Sequence, residues 1–174
     1  MCQGSLGSLK GCVKPTSEQS TTRRSVSPFE QTRNDSKAEN ITAMSTSCPG
    51  GPLRILVVDD FAPFRESLCR LFQDYKSLTV VGAAMDGEAA VEMAFQLLPQ
   101  IIVMDVTMPR ISGIEATRRI KRFLPHVHII GISTQDDTVI KESMKAAGSS
   151  HFVTKDCAHT LPDIISSITG WPIK

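Results

Sequence analysis

The chain has 174 residues, with 19 Lys or Arg against 18 Asp or Glu and 41% apolar residues, enough for one globular domain plus an extension. A formal net charge of +1 gives no basic field to draw in nucleic acid, and no run approaches the roughly 18 apolar residues of a membrane-spanning helix. The five cysteines are scattered without disulfide or metal-pair spacing, and the start lacks a signal-peptide pattern, so the expected compartment is the cytoplasm.

Composition shifts near residue 52. Residues 1–52 hold fifteen Ser or Thr and a single aromatic, Phe29, too little apolar surface to offset the entropy of ordering. They are expected to form a disordered Ser/Thr-rich tail, with one domain over 53–174.

From Leu53 onward, short β-branched runs alternate with 3.6-period segments. The first strand candidate, 53–58, closes on Asp59-Asp60, and a helical pattern over 62–75 follows with Pro63 in its first turn. A strand at 78–82 leads to a helix over 86–97 that Asp86 would cap. Pro99 precedes the third strand, 100–104, which closes on Asp105; a loop then runs to Gly113 and a helix over 113–123. Pro125 precedes the fourth strand, 127–132, which ends on Ser133; the next helix, 136–147, would be capped by Asp136 and ended by Gly148. The last strand, 150–154, delivers Lys155 before a helix over 160–169. Five βα rounds with right-handed crossovers predict an α/β fold, a flavodoxin-like doubly wound sheet of order 2-1-3-4-5 with five helices.

In open parallel sheets ligands bind outside the carboxyl ends of the strands. Here those ends bring an acid pair, an acid, a hydroxyl and a lysine to one rim. Three carboxylates that close repel unless a cation offsets them, and an all-oxygen cluster suits Mg²⁺. Phosphoryl transfer gives every rim residue work: Asp105 as nucleophile, Mg²⁺ held by Asp59, Asp60, Asp105 and the backbone carbonyl near Thr107, Lys155 as a point charge, and Ser133 as a hydroxyl donor. Singly, each has a plainer reading, as helix cap or surface charge; the constellation outweighs it. Thr107 and Gln135, each two residues beyond a site residue, are candidates for orienting water and tuning the lifetime of the phosphoryl group.

Other features read as structural. Arg118, Arg119, Lys121 and Arg122 form the solvated face of a helix whose Ile114, Ile120 and Leu124 point inward. Met85, Met93, Met104, Met108 and Met144 are expected to fill core gaps, and the four histidines have no ligand spacing.

Val57-Val58-Asp59-Asp60, Met104-Asp105-Val106-Thr107-Met108-Pro109, Gly113-Ile114-Glu115-Ala116, Ile132-Ser133 and Thr154-Lys155-Asp156 stand in order at successive strand ends. With them, residues 53 to 170 resemble a response-regulator receiver domain of two-component signalling. The wording is closest to receivers of helix-turn-helix regulators and of hybrid histidine kinases. The resemblance implies a phosphoacceptor switch with no turnover beyond self-phosphorylation and slow autodephosphorylation. Its partners would be a sensor histidine kinase or phosphotransfer protein and a downstream protein target, with no nucleic acid or membrane contact, and a homodimer formed on phosphorylation stays open. It also implies that Ser133 swings toward the phosphate, that Phe152 reorients with it, and that the fourth and fifth helices carry the readout. Asp156 departs from the proline many receivers place after the lysine. Since Lys174 follows soon after the fifth helix, the expectation is a receiver alone. The alternatives are a detached receiver of a hybrid histidine kinase, a silent binding module, and a metal-dependent phosphatase, which would want an acid where Thr107 stands.

Overall fold

The computed structural model describes residues 51–173; the expected tail lies outside them except for its last two positions. Five parallel strands stand in the order β2-β1-β3-β4-β5. In chain order the elements are β1 (Leu53–Val58), α1 (Ala62–Gln73), β2 (Leu78–Ala84), α2 (Gly87–Leu97), β3 (Ile101–Asp105), α3 (Gly113–Phe123), β4 (His128–Ser133), α4 (Thr138–Ala147), β5 (His151–Thr154), a 3-10 segment (Lys155–Thr160) and α5 (Leu161–Thr169). The doubly wound fold read from the sequence is the observed one.

Two cores explain why β1 is apolar from Ile55 onward and β3 up to Asp105. Ile55, Val57, Ile101 and Val103 face Leu68 and Phe72 of α1 and Leu161 and Ile165 of α5. Leu56, Val58, Ile102 and Met104 face Ala90 and Ala94 of α2 and Ala116 and Ile120 of α3. With period-2 alternation and helices on both sides, neither face tolerates a polar residue from Ile55 to Val58 or from Ile101 to Met104. The acids begin where that constraint stops.

Several boundaries differ from expectation for local reasons. Asp137, not Asp136, caps α4: its Oδ1 accepts from Val139 N at 2.7 Å and Ile140 N at 3.4 Å, while Asp136 pairs with Lys141. Ser133 Oγ accepts from Gln135 N and turns the chain there, so the cap falls one residue later and the helix begins at Thr138. The fifth helix opens with Pro162 in its first turn, and the residues before it form the tighter 3-10 segment. Met104, Met108 and Met144 are buried as expected, but Met85 is 61% exposed on the loop between β2 and α2.

Candidate functional site

Asp59 directly follows the buried run of β1 and is itself fully buried. Its Oδ1 accepts from Phe61 N at 2.9 Å, and Arg65 Nη1 from the first turn of α1 donates to its backbone carbonyl at 2.6 Å. Asp60 is exposed beside it. Asp105 ends β3 at 2% exposure and accepts from Thr107 N at 3.4 Å. Gly113 makes that ending feasible, since a Cβ there would overlap the Asp105 carbonyl oxygen. Val106 N donates to Ile132 O at 3.0 Å, tying this strand end to that of β4, where Ser133 is buried.

Lys155 crosses back from the end of β5. Its Nζ lies 2.7 Å from Asp59 Oδ2 and 3.3 Å from Asp105 Oδ2, and 4.8 Å from the centre of the Phe64 ring. One ammonium thus serves two buried carboxylates. The deficit shows at Asp105: burial, then the neighbouring Asp59 charge, push it from 3.8 up to about 6, against the opposing pull of Lys155 and the Thr107 amide. Burial alone would lower Lys155, but its bond to Asp59 and the charges of Asp105 and Asp59 outweigh that and raise it.

The arrangement fits a hard divalent cation. One oxygen each of Asp59, Asp60 and Asp105 lies within 4.8 Å of the others, and all three donors are carboxylate. Asp59 Oδ2 is buried and, apart from the Lys155 ion pair, accepts no well-directed hydrogen bond among the described residues. An added positive charge would relieve both that atom and the Asp105 carboxylate.

The sequence reading therefore assembles in part. Asp59, Asp60, Asp105 and Lys155 meet; Ser133 stands at the neighbouring strand end with its Oγ engaged by Gln135 N; Thr107 and Gln135 are exposed on loops leaving Asp105 and Ser133. Phe152 sits apart, half-buried against the Cβ-free side of Gly131, with Lys141 Nζ 5.7 Å from its ring centre. Arg65 and Phe64 escaped the sequence reading, because a helix-start arginine and phenylalanine carry no mark of what they will touch.

A doubly wound domain with buried acids and a lysine at its strand ends is an α/β domain whose candidate site lies where such folds place their ligands. The family model described as Response regulator receiver domain matches residues 55–168. The chain belongs to that family, the receiver domains of two-component signalling. It is 35% identical over 103 residues to the response regulator GacA of Pseudomonas viridiflava, covering 59% of this chain and 48% of that protein. It is also 41% identical over 114 residues to protein-glutamate methylesterase/protein-glutamine glutaminase 4 of Myxococcus xanthus, covering 64% of this chain and 32% of the relative. The chain thus spans about half the length of one and a third of the other. Among solved structures, the response regulator domain of Thermotoga maritima CheB matches at TM-score 0.62 and 32% identity, covering 68% of this chain and 95% of that one. The signal receiver domain of the NarL regulator of Mycobacterium tuberculosis matches at 0.64 and 27%, covering 69% and 98%. Receiver domains bind Mg²⁺ at an acidic pocket and take part in phosphorelay with histidine kinases or phosphotransfer proteins. Among the described residues no helix is long and apolar enough to cross a membrane.

Proposed function

We propose that this receiver takes a phosphoryl group from a phosphohistidine onto Asp105. A carboxylate oxygen attacks phosphorus, the P–N bond breaks, and the histidine nitrogen keeps the electron pair, leaving an acyl phosphate on the protein. Lys155 supplies positive charge at both Asp59 and Asp105, and it is this shared ammonium among buried carboxylates that carries the reading. Asp59, Asp60, Asp105 and the Thr107 carbonyl would hold Mg²⁺, which when bound offsets charge on the attacking and transferred oxygens. Ser133, one strand over, is available to donate to a phosphate oxygen once it releases Gln135 N. Movement of Ser133 and Phe152 would pass the change to the α4–β5–α5 side, where a protein target reads it.

Around this switch we place residues 1–52 as a Ser/Thr-rich extension, a cytoplasmic setting, and action through another protein without direct nucleic acid contact. The enzymatic output of the longer methylesterase relative is not part of the proposal. Incubation with Mg²⁺ and acetyl phosphate, followed by intact mass spectrometry, should add one labile phosphoryl group that requires Mg²⁺ and disappears in Asp105→Asn. A wild-type protein that stays unmodified with acetyl phosphate and with phosphohistidine donors would leave a silent binding module. Thr107→Ala and Gln135→Ala should each change the rate at which that group is lost; rates equal to wild type would remove their tuning role.

A further inference from the structure

The loop from β3 to α3 holds a residue that local sterics disfavour. Arg110 is one of two non-glycine residues with positive φ among those described, at 66°. A side chain there is strained, and such strain persists where the surroundings dictate it. The surroundings are visible. The turn carries the Arg110 guanidinium onto Asp86 Oδ2 and within 3.7 Å of Glu88 Oε2, both at the start of α2. Asp86 is buried and its other oxygen is already used, capping α2 by accepting from Ala89 N at 2.9 Å. Next to it Ile111 O lies where a Cβ on Gly87 would stand, at 2.5 Å, so the loop is seated on the helix start by backbone contact as well.

We infer that Arg110 is a positioning residue for the metal site: its ion pair with Asp86 latches the β3–α3 loop to α2 and so fixes the Thr107 carbonyl and amide beside Asp105. The inference rests on the function proposed above and deepens it. Three consecutive constraints hold this loop. Thr107 N bonds to Asp105 at one end, Gly113 N donates to Val106 O at the other at 3.0 Å, and the Arg110 latch lies between them. Met108 and Ile111 add apolar packing, but among the described residues only the latch ties the loop to α2 through charged side chains, and it involves an exposed charge that a solvent ion can compete for.

Arg110→Gly separates positioning from plain stability. Glycine adopts this φ without strain, which offsets part of the stability lost with the ion pair, so the variant should stay folded and its Mg²⁺ affinity can be read directly. By simple charge counting, removing a cation near a cation site should tighten Mg²⁺; loss of the latch should weaken it about tenfold, as loss of an outer partner of a metal ligand does. Asp86→Asn keeps the oxygen that caps α2 but loses the charge, and should weaken Mg²⁺ equally, with the double variant no worse than either single one. Arg110→Lys should recover part of the affinity.

Mg²⁺ titration by isothermal calorimetry on the full chain reads these values, and amide exchange over residues 107–111 should quicken in the weakened variants. Arg110→Gly binding Mg²⁺ as tightly as wild type, or losses that add in the double variant, would overturn the latch while leaving the proposed site intact. A wild-type chain that takes up no Mg²⁺ would overturn the site reading and the latch with it.

Discussion

The two ends of the sheet are built to opposite rules. At the amino-terminal edge of β1 and β3, side chains and backbone close on one another: Arg54 N donates to Gln100 Oε1 at 2.9 Å, Arg54 Nη2 to Leu97 O at 2.7 Å, and Gln100 N and His128 N to backbone carbonyls at 2.9 Å each. At the carboxyl edge two buried carboxylates share one ammonium. The first edge is satisfied, the second short of positive charge. A buried carboxylate cluster costs stability in the resting domain, and that cost is released when a cation or a charge-consuming reaction arrives.

The contrast can be broken hardest at the lysine. Lys155→Met leaves Asp59 and Asp105 facing each other without their cation and should lower unfolding free energy by about 3–5 kcal/mol in chelator, read by urea denaturation, with Mg²⁺ restoring part of it. Asp105→Asn acts in the other direction. The folded-state pKa of about 6 lies above the unfolded value near 3.8, so the folded domain holds this proton more tightly and loses stability as pH rises from about 4 through 6. Removing the charge should therefore raise stability at pH 7.5 by up to about 3 kcal/mol in metal-free buffer and by nothing near pH 4, which paired melts at the two pH values would read. The smallest effect belongs to the satisfied edge. Gln100→Ala removes one exposed bond to Arg54 N and should cost about 1 kcal/mol at every pH, with phosphorylation from acetyl phosphate unchanged.

The same contrast explains what could be read from the sequence. Strands buried on both faces must be apolar to their last residue, so Val58-Asp59 and Met104-Asp105 announce both the strand ends and the acids that stand there. The helix α3 was legible to the residue because Ser112 caps it and Gly113 follows, accommodating the Asp105 carbonyl. What stayed hidden depends on turn geometry and contacts that no periodic pattern announces. Asp136 and Asp137 are equally good caps until Ser133 Oγ decides where the turn falls. Met85 looks like core filler until β2 runs two residues further than its apolar pattern and lifts it into solvent. Arg110 reads as one polar loop residue, since nothing local shows that Asp86, 24 positions earlier, waits beside it.

Peptide mapping after borohydride reduction of protein treated with a phosphohistidine donor and Mg²⁺ tests the central claim most directly, because it reports which carboxyl carried the acyl phosphate. The account predicts a single reduced site at Asp105, absent without Mg²⁺ and strongly diminished in Lys155→Met. Reduction at Asp59 or Asp60, or at no residue of a chain that binds Mg²⁺ normally, would contradict it.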